Sequence, residues 1–134
     1  MQDETRMIRL VVCGAHMSGM GLNSQLTNLG ARLETATETA PVYRFYALAG
    51  EPKRPGLIRT GEKDGHAIKV EVWLVPSANL GAFAMLIPSP LCLGTVYLQG
   101  GESALGFLCE PIGIQGATEI THMASWRTYL NTLQ

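Results

Sequence analysis

Apolar residues crowd the run Met7-Ile8-Arg9-Leu10-Val11-Val12-Cys13, and a short apolar stretch ending at Gly14 predicts a buried strand. A loop punctuated by Gly14, Gly19 and Gly21 follows. Leu22, Leu26 and Leu29 then recur at helical spacing, with Gly30 as the stop. The threonine-rich alternation of residues 32–39 predicts a strand. Residues 43–48 predict another, after the break at Pro41. Glu51-Pro52-Lys53-Arg54-Pro55-Gly56 has the turn chemistry of a surface loop.

Asp64-Gly65 predicts a hairpin turn between strands at 57–60 and 66–75. In the second of these, Ile68, Val70, Val72 and Leu74 share one face, and Lys69, Glu71 and Trp73 share the other. Pro76 opens a short helix through Leu80, Phe83 and Ala84, which Pro88 and Pro90 close. Residues 95–99 and 105–110 predict a second hairpin across Gly100-Gly101. A final helix carries Trp126, Tyr129, Leu130 and Leu133 on one stripe. These short strands and few helices show no repeating βαβ order. They predict an α+β domain, a mostly antiparallel sheet curled into a small β-barrel. No repeat, low-complexity tract or linker divides residues 1–134, which read as a single domain.

Composition narrows the function classes. At 134 residues, 46% hydrophobic and 16% charged, the chain can bury a real core. Ten basic and eleven acidic side chains give a net charge of -1, without the basic footprint that nucleic acid binding requires. Cys13, Cys92 and Cys109 sit in apolar runs without a C-x-x-C spacing, as expected of thiols in a reducing compartment. The start, Met1-Gln2-Asp3-Glu4-Thr5-Arg6, is charged and lacks an apolar signal core. No apolar stretch approaches the ~20 residues of a membrane span. A cytoplasmic protein without nucleic acid or membrane partners is expected.

Candidate chemistry concentrates in residues 14–23. A strand leading through a glycine-rich loop into a helix presents backbone N–H groups that suit a carboxylate or phosphate. His16 lies there, with Ser18 close by and Asn23 at the helix start, and an imidazole can carry a proton near neutral pH. His66 and His122 read as a solvent-facing residue and an end-of-element residue. Their spacing suggests no metal site, and no cofactor is expected. The three cysteines read as core filler, and no Gly-x-Ser-x-Gly elbow surrounds Ser18. Glu71 and Glu110 read either as surface charges or as inward-facing functional groups. In Tyr43-Arg44-Phe45-Tyr46 the arginine is a candidate partner for a substrate carboxylate.

Several stretches in order carry a further signal: Gly14-Ala15-His16-Met17-Ser18-Gly19-Met20-Gly21-Leu22-Asn23, Thr39-Ala40-Pro41-Val42-Tyr43-Arg44-Phe45-Tyr46-Ala47-Leu48, Pro55-Gly56-Leu57, Val70-Glu71-Val72-Trp73, Ile87-Pro88-Ser89-Pro90-Leu91, Gly94-Thr95-Val96, Gly106-Phe107-Leu108-Cys109-Glu110 and Trp126-Arg127-Thr128-Tyr129-Leu130. Together they resemble the carboxy-terminal domain of allophanate hydrolases. The resemblance implies a γ-glutamylcyclotransferase-like fold, with a pocket where the first strand meets its loop. In that family an amidase domain releases ammonia from allophanate. The carboxy-terminal domain then breaks down the resulting N-carboxycarbamate, a small dicarboxylate, by loss of carbon dioxide. His16 is carried over as the catalytic candidate, and Gly14, Ala15, Met17, Ser18, Gly19, Asn23, Tyr43 and Arg44 as binding candidates. The family usually has proline at the position of Gly21. The amidase signature is absent, so a separate amidase subunit or a homodimer is the expected partner, with an accessory binding module as the alternative. γ-Glutamyl cyclotransferases carry Tyr-Gly-Ser in place of Cys13-Gly14-Ala15. They also use a glutamate that has no counterpart in residues 81–86.

Overall fold

The computed structural model describes residues 6–134. The charged segment 1–5, on which the reading of the chain's start rested, lies outside the described residues. Strand β1 (Met7–Val12) is central to a five-stranded sheet of order β2-β5-β1-β7-β6. Its partners are β2 (Arg32–Glu38), β5 (Lys69–Pro76), β6 (Leu91–Tyr97) and β7 (Ser103–Cys109). All pairings are antiparallel except β1 with β7. A second sheet pairs β4 (Pro55–Arg59), β3 (Tyr43–Ala47) and the two-residue β8 (Thr118–Glu119) in that order. Helices are few and short: α1 (Ser24–Thr27), α2 (Ser77–Ala84) and α3 (Trp126–Asn131). Among the described residues no helix is long and apolar enough to cross a membrane.

The α+β class and the dominance of antiparallel strands agree with the sequence. The closed barrel does not, because the strands form two sheets. Between them lies one apolar core, with Leu10, Tyr43, Phe45, Ile68, Val72 and Phe83 fully buried. The glycine pair turns the β6–β7 hairpin as expected, with Gly100 and Gly101 at φ of 89° and 91°.

The Asp64-Gly65 hairpin is a correction. Strand β4 pairs with β3 (Tyr43 opposite Arg59), and β5 pairs with β1 and β2. The glycine serves a crossing instead. A Cβ at Gly65 would stand 2.3 Å from Val42 Cα and 2.6 Å from the Gly61 carbonyl oxygen. The strand-like face of Lys69, Glu71 and Trp73 also differs from expectation. Glu71 and Trp73 are buried, because β5 lies inside the sheet and is covered on both sides. The loop at 51–56 ends early, with Pro55 and Gly56 buried in β4. A first-strand position suits a residue without an N–H to donate.

The predicted leucine helix shrinks to α1, which buries Leu26 and leaves Leu22 exposed. In α3, Ser125 caps the first turn by accepting from the Thr128 N–H at 3.2 Å. Trp126 and Tyr129 are buried, whereas Leu133 lies beyond the helix and is exposed. Gly65→Ala forces a methyl against rigid backbone and is expected to lower stability by roughly 1–3 kcal/mol. A fall in urea midpoint at unchanged slope is the readout.

Candidate functional site

Beyond β1 the chain winds into three successive tight turns. The N–H groups of Met17, Met20 and Asn23 donate to the carbonyls of Gly14, Met17 and Met20 at 2.9, 3.0 and 3.1 Å. A fourth bond, Leu22 N–H to the Ala15 carbonyl at 2.8 Å, closes the coil. Gly14 packs against the Pro55 ring so closely that a Cβ there would stand 2.2 Å from Pro55 Cγ. Asn23 caps no helix with its side chain. Its amide donates to the His16 carbonyl at 2.8 Å and braces the loop from within. This winding leaves the N–H groups of Gly14, Ala15 and His16 without an acceptor among the described residues.

His16 is buried between the loop and the core. Its ring meets Phe83 of α2 edge-on at 5.2 Å and Phe107 of β7 at 5.0 Å. Nε2 lies 2.7 Å from Gln25 Oε1, an acceptor, so that nitrogen carries the proton and Nδ1 is bare in the neutral ring. Burial pulls the imidazole below the ordinary histidine pKa, and the Gln25 bond opposes this only in part.

The loop forms one wall of a cavity of about 280 Å³. Gly14, Ala15 and His16 face it together with Gln25, the segment around Pro52 and Pro55, Leu86 and Pro88 beyond α2, and Phe107. No Asp or Glu lines it. Its charged side chain is Arg54, whose guanidinium has no hydrogen-bond or ion-pair partner among the described residues. A guanidinium and backbone N–H groups without protein partners are the kinds of group that suit an anion. The sequence presented Arg54 as part of a surface loop between prolines, and in the structure it precedes β4 and lines the cavity.

The other candidates are scattered. Met17 is buried, Ser18 faces Glu71, and Gly19 is exposed on an outer turn at φ 78°. Tyr43 lies fully within the core, where its hydroxyl accepts from the Tyr97 N–H at 2.8 Å. Arg44 points away from the cavity. It pairs with Glu119 and donates to the Asp64 carbonyl at 2.8 Å, in a shallow depression that also contains His66 and His122. Glu110 is exposed and accepts from Ser89 at 3.3 Å. The Cys13 thiol, although at the cavity, is pushed up to about 12 by burial with a smaller effect from Cys109, which suits packing and not nucleophilic attack.

Glu71 is the inward carboxylate, but it faces the back of the loop. Burial alone would raise its pKa. Hydrogen bonds from the Ser18 N–H, the Trp73 indole and the Ser18 hydroxyl, with the charge of Arg127, hold it below the usual carboxylate value.

His16 sets a pH dependence of stability. The unfolded chain protonates its histidine near pH 6.5, whereas the folded chain resists. Stability is therefore highest above that pH and falls as the medium is acidified toward the lower native pKa. Denaturant titrations between pH 7.5 and about 5 are expected to show this loss. The slope should flatten in His16→Gln, and an unchanged slope would exclude His16 as its source.

With this geometry in hand, comparisons place the chain. The model of the allophanate hydrolase C-terminal domain matches residues 8–131. The chain is 37% identical over 131 residues to a urea amidolyase of Lachancea kluyveri, covering 95% of this chain but 7% of that protein. Allophanate hydrolase of Kluyveromyces lactis, in an S177A variant, superposes with a TM-score of 0.92 at 34% identity, over 96% of this chain and 22% of that one. A uropathogenic E. coli-specific protein superposes at 0.87 with 33% identity, over 93% of this chain and 96% of its own. A γ-glutamyl cyclotransferase, 12% identical with a TM-score of 0.56, shares the fold alone. The γ-glutamylcyclotransferase-like architecture and a family match spanning nearly every described strand lead to one conclusion: this chain belongs to the allophanate hydrolase C-terminal domain family.

Proposed function

We propose that the domain binds a small dicarboxylate of the N-carboxycarbamate type in the His16 cavity and promotes its loss of carbon dioxide. The observation that carries this reading is the unpaired Arg54 guanidinium, sharing a cavity free of carboxylates with the unoccupied N–H groups of Gly14, Ala15 and His16. A substrate carboxylate takes its place against those donors.

In the reaction the bond between nitrogen and one carboxylate carbon breaks. The electron pair passes to nitrogen, which takes up a proton, and the products are carbon dioxide and carbamate. His16 is the proton carrier. Burial lowers its pKa and so favours the neutral ring. Two negative charges brought close favour the imidazolium, so the ligand draws in the proton that the nitrogen then receives. The apolar walls around Leu22, Leu86, Leu91 and Phe107 favour departure of one carboxylate as neutral carbon dioxide.

The relatives that carry this domain as a small share of a longer chain support supply of the substrate by an amidase, as a separate subunit or a neighbouring domain. The free thiols Cys13, Cys92 and Cys109 fit a cytoplasmic setting. A second reading, a carboxylate-binding accessory module without turnover, draws support from the Gln25 bond that engages His16 Nε2. Cyclotransferase chemistry draws none: a γ-glutamyl substrate brings an ammonium group, and no lining side chain offers it a countercharge.

Malonate, with a methylene in place of the nitrogen, should raise the melting temperature. Arg54→Ala is expected to weaken malonate about tenfold or more, whereas Arg44→Ala leaves it unchanged. In the catalytic assay, a separate amidase generates N-carboxycarbamate in situ, and carbon dioxide release is compared with an amidase-only control. The domain should exceed that control and His16→Ala should return to it. Malonate binding with release equal to the control selects the accessory module.

A further inference from the structure

We propose that Glu71 is a positioning residue, which fixes from behind the loop whose front presents Gly14, Ala15 and His16 to the cavity. The proposal rests on the reading of that cavity as the ligand site. Glu71 stands in β5, only 5% exposed. Its Oε1 accepts from the Ser18 N–H at 2.8 Å and from Trp73 Nε1 at 2.9 Å. Its Oε2 accepts from the Ser18 hydroxyl at 2.8 Å and from the Arg127 guanidinium at 3.4 Å. Arg127, in α3, also donates to the Ser18 carbonyl and reaches Met17 Sδ at 3.7 Å. Every polar group of Ser18 is thus held by two residues that lie 53 and 109 positions away.

A carboxylate in the interior of a sheet is an expensive choice, since desolvating it costs more than an apolar side chain of similar size. The neighbouring strand residues Val70 and Val72 show what packing alone selects at such positions. Here only the Trp73 bond stays within β5. The two Ser18 bonds fasten the loop two residues after His16, and the Arg127 bond ties the carboxylate to α3. With Ser18 N–H turned back to Glu71, the preceding N–H groups of Gly14, Ala15 and His16 are left for the cavity. One carboxylate therefore settles which loop donors serve the fold and which serve a ligand.

Glu71→Gln keeps the shape but turns an amide toward the Ser18 hydroxyl and Arg127, where it cannot accept. Cooperative unfolding should persist. Amide hydrogen exchange should quicken about tenfold for residues 15–19, and not in the β1–β5 pairing. Malonate affinity should fall about tenfold, with a shift of the His16 ring signals in NMR. Loop exchange and malonate affinity both at their wild-type values in the folded variant would overturn the proposal.

If Glu71→Gln does not fold, Ser18→Ala removes the hydroxyl's bonds to Glu71 and Arg127 and should give the same loop-confined pattern at about threefold. Ser18→Thr should restore it, and a Ser18→Ala protein identical to wild type overturns the proposal equally. Failure of the wild type to bind malonate would count against the ligand reading, while exchange in the loop still decides the role of Glu71.

Discussion

The antiparallel pairing of β1 with β5 places Met7 opposite Pro76 and Val12 opposite Glu71, and most of the architecture follows from that register. At one end Pro76 turns the chain into α2, which runs back over β1 until the Phe83 ring covers His16. At the other end β1 stops beside a carboxylate, and the loop that follows winds onto its oxygens. A shift of one residue would turn Glu71 to the opposite face of the sheet, strip the loop of its anchor and remove the aromatic cover. Fold and site are therefore specified by the same backbone hydrogen bonds.

The cavity uses electrostatics sparingly. One guanidinium, the backbone of Gly14 to His16, the Gln25 amide and an imidazole whose pKa burial lowers share the lining with mostly apolar side chains. In such surroundings a single unpaired cation acts over more of the cavity than it would in water. Other arginines of the fold are spent: Arg9 on Glu34 and Glu102, Arg44 on Glu119, and Arg127 on the loop and Glu71. Unlike these three, Arg54 has no acidic partner among the described residues, and it lines the cavity.

Local features of the chain were legible where local physics governs them. The apolar run of β1, the Gly100-Gly101 turn and the proline-bounded α2 all announce themselves within a few residues. The histidine-bearing loop did so as well, with the ordered motifs pointing to its family. Partner choice was not legible. Asp64-Gly65 has the composition of a hairpin turn, yet its glycine answers to Val42, 23 positions back, because the β3–β4 pairing brings that backbone close. Arg44 in a strand and Arg54 in a proline-rich loop carry equal charge in sequence, and only the fold decides which of them shares a cavity with His16. Glu71 read as ambiguous for a similar reason, since alternation along β5 does not reveal that a loop and α3 cover the second face.

One contact made by the loop reaches further. Gly14 rests on the ring of Pro55, the residue next to Arg54, so the two halves of the cavity touch backbone to ring with no side chain between them. No long residue stands there to be trimmed, and no rotamer can swing aside. At this contact the two walls part only if β4 shifts against the loop, and Arg54 is the residue just before that strand. The spacing between the cationic side and the N–H side is thereby geared to the frame of the fold. Enlarging the cavity on this side would therefore require a change in the strand that bears Pro55.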